Sequence, residues 1–408
     1  MTGYNTTQNQ KIVSRAIISA IALWLAFSGV AAAEQLYVNE SGWWHDGGAF
    51  TTSSTPIYSA VYAAAVGDAI YVYNGSYSEN VNVNKRLTLE GEGADVVTVT
   101  ARSSGDHVFE VTANWVKISG FAVSGAIDSY GDCWYAGISL HNARHCNIYD
   151  NTANSNRYGI YLCDSSNYNT LTNNTANSNI WCGIYLCDSS NYNTLTNNTA
   201  NSNIRNGIYL LSSSNDTLTS NIANSNQCGG IRLSSSSSDN ILTDNIANSN
   251  WNNGVCLSSS SNYNTLTNNT ANSNNHYGIV LPSSRYNTLT KNTANFNGDY
   301  GISLWSSSND NILTDNIANL NGDYGIYLSS SSNDNILTDN IANLNGDYGI
   351  YLHDSSSNTF TDNIANSNTR DGIHLSSSSD NTFTDNIANS NIRRGINLSS
   401  SSNNNLTN

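Results

Sequence analysis

The chain has 408 residues, only 11% of them charged, and 15 Lys+Arg against 30 Asp+Glu leave a formal net charge of -15. That charge density is far below the roughly 25% of ordinary soluble domains, and the acidic balance argues against a nucleic-acid partner, whose phosphates require a basic surface. Hydrophobic residues at 38%, with 10% aromatics, are too many for simple disorder, and 2 Pro with 1 Met exclude a proline-rich stalk or a Met-rich binding surface.

In chain order, Lys11 and Arg15 precede an apolar run from Ala16 to Val30, and Ala31-Ala32-Ala33 offers a small-residue cleavage site before Glu34. This is the layout of a secretory signal peptide over residues 1–33. Ser28-Gly29 interrupts the run, which favours cleavage over an uncleaved anchor. No second apolar segment of spanning length follows. The expectation is a secreted, periplasmic or cell-surface protein with no transmembrane segment after cleavage.

Residues 34–125 are out of phase with the rest and read as an N-terminal cap with irregular first coils. Thr55-Pro56 followed by Ile57, Ala60, Val61 and Ala64 predicts a short amphipathic helix ending near Gly67. Such a helix suits the open end of a solenoid. Strand-like tracts follow at Ala69 to Tyr73, Val81 to Val83, Leu87 to Leu89 and Val96 to Val99.

Residues 126–408 are periodic. A Gly-apolar-x-Leu-like unit recurs at Gly137, Gly159, Gly183, Gly207, Gly230, Gly254, Gly278, Gly301, Gly325, Gly349, Gly372 and Gly395, in steps of 22 to 24 residues. Each repeat also carries an Asn-Thr-Leu-Thr or Asn-Ile-Leu-Thr tract and an Asn-Thr-Ala-Asn or Asn-Ile-Ala-Asn tract. Three short alternating tracts joined by Ser/Asn turns predict a parallel β-solenoid with three strands per coil. Stacking at about 4.7–4.9 Å turns equivalent positions into columns. Alternation then points Ile160 and Leu162 inward and Tyr161 outward, with Leu171 and Ala176 completing that coil's interior.

One column is Asn throughout: Asn151, Asn174, Asn198, Asn221, Asn245, Asn269, Asn292, Asn316, Asn340, Asn363 and Asn386. Stacked Asn side chains hydrogen-bond along such a column, and Asn also tolerates the left-handed backbone of a sharp corner. A structural ladder is expected, supporting an interior too thin to hold by burial alone.

The tracts Ala60 to Val72, Tyr77-Ser-Glu-Asn-Val, Lys85 to Gly93 and Val116-Lys-Ile-Ser-Gly-Phe121, together with the Asn-rich coils, resemble the NosD-like family, which includes the carbohydrate-binding and sugar-hydrolase (CASH) β-helix domains. The resemblance covers nearly everything after Ala33. It implies an all-β, right-handed parallel β-helix of the pectin-lyase-like kind, exported to a bacterial periplasm or an archaeal surface. It specifies fold more strongly than activity.

Several groups carry candidate chemistry. Tyr161, Tyr185 and Tyr209 form one outward column continued by Tyr327 and Tyr351, beside Tyr158, Tyr277, Tyr300, Tyr324 and Tyr348. Such rings make a platform for sugar rings, or merely stabilise the sheet by cross-strand contact. Asp315, Asp339, Asp362 and Asp385 form an acidic column, and Asp299, Asp323 and Asp347 another, so calcium is a candidate ion, although exposed columns repel too weakly to require one. Cys133, His141, His145 and Cys146 are the densest set of copper or zinc ligands. Cys163 and Cys187 lie one coil apart, as a disulfide or as buried thiols.

No catalytic residue is singled out, because the acids recur as repeat filler and the bases Arg232, Lys291 and Arg394 are scattered. The sequence therefore reads as an exported, non-catalytic scaffold that recognises polysaccharide or other envelope components along a Tyr/Asn face and requires no cofactor. A polysaccharide lyase or hydrolase and a NosD-like copper-handling protein are the rival readings. The last coil shows no recognisable cap, so a partner at that end is a further expectation.

Overall fold

A computed structural model describes residues 33–128 and 134–407. The signal-peptide reading, up to residue 32, and Cys133 lie outside them. Strand Gln35–Asn39 pairs antiparallel with Gly42–His45 and parallel with Ala69–Val72, which ties the N-terminal segment to the first coil. Helix α1 (Pro56–Ala63) starts at proline and buries Ile57, Ala60 and Val61. Its first free N–H groups, those of Ile57 and Tyr58, donate to the buried Glu79 carboxylate at 3.1 and 2.8 Å. An acceptor just past strand Gly75–Ser78 thus satisfies the helix start, which its own cap residue Thr55 does not.

The rest is a right-handed parallel β-helix of about 14 turns. Three faces run along it. The first sheet contains the Asn-x-Leu-Thr tracts, as in Thr170–Thr172 and Thr194–Thr196, with Leu171 opposite Leu195. The third sheet has fourteen strands from Val81–Val83 to Arg394–Ser399 and contains the Gly-apolar-x-Leu tracts, with Ile160 opposite Ile184 and Leu162 opposite Leu186. The second face is narrower than expected. It begins with strands Gly75–Ser78, Val97–Thr100, Ala122–Ser124 and Thr152–Ala153, then continues to Ile387 as one bridged residue per coil. The cause is local: left-handed residues flank the tract on both sides, Asn173 and Ser178 each at φ 55°, and leave too few extended residues for a strand.

Ile160, Leu162, Leu171, Ala176 and their equivalents up to Leu375 are fully buried in a single continuous core, which opens only at the last coil, where Leu398 and Leu406 are exposed. The repeat glycine is required by space: a Cβ on Gly325 would meet Ala342 Cβ, Asn345 Nδ2 and Gly349 O at 2.7 Å each.

The Asn column lies inside. Asn316 Nδ2 donates to Asn340 Oδ1 at 3.0 Å and to Leu289 O at 2.9 Å, and its backbone N–H donates to the same Asn340 oxygen at 3.0 Å. Its own Oδ1 accepts the equivalent pair from Asn292. Both amide protons and the oxygen are therefore satisfied. The left-handed corner falls one residue earlier, at Asn173, Asn197, Asp315, Asp339, Asp362 and Asp385. Short polar side chains tolerate that backbone, so the Asp315 column is explained by turn chemistry.

Further ladders run beside it. Asn179, Asn203, Asn226 and Asn250 repeat the same pattern at another corner. A third column, at Asn193, Asn240 and Asn264, is broken once, by Asp216. Asp216 Oδ1 accepts the Asn193 N–H at 2.7 Å, but the buried Oδ2 takes the place of an amide donor and has no partner. Burial pushes this carboxyl up to about 8. Protonated, it donates from Oδ2 as Asn does from Nδ2.

The unfolded chain ionises this group near its ordinary value of about 3.9. Between there and about 8 the folded state holds the extra proton, so stability falls as pH rises through that window. Asp216→Asn is expected to raise the melting temperature by several degrees at about pH 9 and to change it little at about pH 4. Equal shifts at both would contradict a protonated ladder member.

Candidate functional site

The outer side of the third sheet carries two columns in each coil, one just before the repeat glycine and one two residues after it. In the early coils this face is closed. Tyr158, Tyr161 and Tyr185 project away from the main core, yet only 0%, 6% and 3% of their surface is exposed. Trp134 stacks over them at 5.6, 6.2 and 5.8 Å and meets Trp181 edge-on. Burial drives all three phenols strongly upward. These tyrosines, expected as an open platform, form a second small core with Cys163, Cys182 and Cys187. Tyr209 is half-buried at its margin, with the Arg232 guanidinium 5.5 Å over its ring.

The face reopens further along. Tyr277, Tyr300, Tyr324, Tyr348 and His374 make one continuous stack, with centroids 5.1, 4.8, 5.4 and 4.7 Å apart and planes within 22° of each other. Tyr327 and Tyr351 form a second stacked pair at 5.2 Å, tilted against the first row. All seven rings are partly buried, and Tyr300, Tyr324 and Tyr348, with a stacked ring on each face, present their edges. Burial raises the Tyr300, Tyr324 and Tyr351 hydroxyls, which stay protonated donors. The stack ends in polar residues: Asp371 Oδ2 lies 3.0 Å from His374 Nδ1 and accepts Asn397 Nδ2 at 2.9 Å. Arg370 Nε contacts Asp347 at 3.1 Å.

The proposed metal-ligand set does not assemble as the sequence suggested. His145 lies at a left-handed corner, sandwiched between Trp115 at 4.2 Å and Tyr168 at 5.1 Å. Cys146 turns inward; its thiol donates to Ala113 O, and burial pushes it up to about 11. His141 instead meets residues of the next coil, because the third-sheet register places it opposite Cys163. His141 Nε2 is 2.9 Å from Asp164 Oδ2, and His141 Nδ1 is 3.5 Å from Cys163 Sγ. Among the described residues this is the one group of three potential ligands gathered within 4.8 Å.

That group lies in a cleft of about 430 Å³ also lined by His107, Glu110, Trp134 and Asp188. Burial depresses His107 to about 4, and its Nδ1 accepts the Ala136 N–H. Burial first, with help from Asp164, Asp188 and Glu110, lifts the Cys163 thiol to about 12. Cys163 and Cys187 are free thiols.

One exposed feature escaped the sequence reading. Trp115, His145, Tyr168 and Tyr192 stack in an unbroken row along a corner, and Tyr263 with Tyr286 repeats it further on. The signal was present, since Tyr168 and Tyr192 differ by one repeat length.

Comparison with known proteins adds family evidence. The family model described as "Periplasmic copper-binding protein (NosD)" matches residues 61–238 and 201–319, and "Right handed beta helix region" matches 262–408. A cell surface glycoprotein of Methanothermus fervidus is 36% identical over 86 residues, which is 21% of this chain and 13% of that protein. The chain thus aligns with about an eighth of this relative's length. Among solved structures, the A-module of an Azotobacter vinelandii mannuronan C-5 epimerase superposes with a TM-score of 0.55 at 13% identity, covering 87% of this chain and 94% of that one. The Dettilon tailspike protein gives 0.61 at 18% identity, covering 74% and 66%. A periplasmic alginate epimerase gives 0.52 at 16%, covering 71% and 77%. At these identities the likeness is one of fold.

Proposed function

The chain belongs to the NosD family of right-handed β-helix proteins, and from that premise we propose that it is a periplasmic or cell-surface scaffold that binds polysaccharide along the ring stack from Tyr277 to His374. The carrying observation is the contrast between the two aromatic clusters: the early one is sealed by Trp134 and Trp181, whereas the later one keeps seven half-exposed rings in register. The presented edges of the stacked rings make a narrow apolar strip against which sugar C–H groups pack, and the phenol, Asn and Ser groups beside them bond the hydroxyls. A rigid solenoid holds this geometry without ordering cost on binding. No helix among the described residues is long and apolar enough to cross a membrane.

A second reading rests on the His141 group and the family description. With Asp164 accepting the Nε2–H proton, His141 Nδ1 turns its lone pair toward Cys163 Sγ, the arrangement in which a carboxylate fixes a metal-binding imidazole. Their 3.5 Å separation suits nitrogen and sulfur held at about 2.0–2.1 and 2.3 Å from one tetrahedral ion. Glu110, Asp164 and Asp188 favour a cation there. The donor set fits Cu(I) or Zn, and the thiol yields its proton on binding. Such an ion would supply charge to the cleft. With one thiol and one imidazole as its core it would be exchangeable, as copper handling needs.

Tyr324→Ala combined with Tyr348→Ala is expected to weaken retention on the polysaccharides the protein binds by about tenfold or more, a loss of about 1.4 kcal/mol, with the fold intact by circular dichroism. Unchanged retention would contradict the proposed face. For the metal, Cu(I) titration against a competing chelator should show a site that Cys163→Ser abolishes and His145→Ala leaves intact; equal binding by all three proteins would remove this reading.

A further inference from the structure

Resting on the reading of the Tyr277–His374 stack as a glycan face, we infer that the polymer it takes carries free amino groups, a 2-amino-sugar chain rather than a polyuronate or a neutral glycan. The charges along the stack are the reason. Asp299, Asp323 and Asp347 immediately precede Tyr300, Tyr324 and Tyr348, and they lie along the stack: burial first, then Asp299 and Asp323 at Tyr277, Asp323 at Tyr300, and Asp323 and Asp347 at Tyr324, raise each phenol. The two outer carboxylates have side-chain partners: His276 Nδ1 is 2.7 Å from Asp299, and Arg370 Nε is 3.1 Å from Asp347. Asp323, between them, is in none of the ion pairs found among the described residues. Burial and the two flanking carboxylates raise its carboxyl, and Arg370, whose ion pair is with Asp347, offsets this only in part.

A second observation lies at the end of the same column. Asp371 replaces the tyrosine found at Tyr348 in the preceding coil and is buried. His374 and Asn397 engage its Oδ2, while Oδ1 has no hydrogen-bond partner at all. Four carboxylates therefore line the ring stack, with Arg370 beside Tyr348 and with Arg393 and Arg394 one coil beyond Asp371. Arg370 is already committed, held by Asp347 with its guanidinium carbon 5.8 Å from the centre of the Tyr348 ring.

A uronate or sulfated sugar lying across the edge of Tyr324 would bring another anion beside Asp323. A neutral sugar would pack there but leave that carboxylate without an ion pair and less hydrated than before. An ammonium on the sugar ring has three donors and a positive charge, so it pairs with Asp323 while the sugar lies against the ring edges. The overall acidic charge of -15 steers a polycation toward the protein at long range.

The test is calorimetric titration of the full chain with glucosamine oligomers, their fully N-acetylated counterparts and polyuronate oligomers of equal length. The free-amine series should bind about tenfold or more tightly than the acetylated one at low salt, with the gap narrowing at high salt, and the polyuronate should bind most weakly. Asp323→Asn should close the gap while keeping the acetylated oligomer's affinity. Equal or tighter binding of the acetylated or uronate series would overturn the amino-sugar assignment and leave the glycan face standing. Absence of binding by all three series, with Tyr324→Ala unchanged, would remove the face itself.

Discussion

The side-chain amide of asparagine is the interaction on which this molecule depends. Each regular coil puts only a few small or medium apolar residues inside, as with Ile326, Leu328, Leu337 and Ala342, while its corners bring backbone carbonyls and N–H groups into the same dry interior. Those groups must be paired. Asn is the residue that fills the position: its oxygen takes two donors from one neighbouring coil, and its nitrogen gives one proton to a backbone carbonyl and one to the next Asn. Several such columns run through the protein in parallel. Low charge and abundant amide are consequences of this single requirement.

A ladder of that kind makes every coil a template for the next, and it confines variety to the outside. The two aromatic clusters show what the outside can do with one motif. Tyr161 and Tyr327 occupy equivalent positions, but the first is roofed by Trp134 and the second is not. The same face is thus a small core at one end and a presented surface at the other. The charges follow the same logic, since Asp315 and its equivalents serve corners whereas Asp323 and its neighbours lie along the open ring stack.

Much of the fold was legible in the sequence. The repeat period, the inward residues of each coil, helix α1 and the Asn174 column can all be read from spacing alone. What could not be read depended on distance in three dimensions or on fine corner geometry. The burial of Tyr158, Tyr161 and Tyr185 comes from Trp134, which precedes its coil and belongs to no repeat column. His145 and Cys146 look like a ligand pair but straddle a left-handed corner, so one faces outward and the other inward. His141 and Cys163 occupy equivalent positions one repeat apart, and the parallel register brings them together with Asp164. The break at Asp216 was visible as a letter, but its meaning required knowing that the column is dry.

The central claim is that the buried carboxamides carry the coil. Side-chain hydrogen exchange tests it directly, by following the Asn Nδ2 protons of the Asn292, Asn316 and Asn340 column by NMR after transfer to deuterated water. The account predicts that these protons exchange as slowly as the backbone N–H groups of the adjoining strands, released only when coils separate. Exchange at the rate of exposed amides, with the backbone still protected, would contradict it.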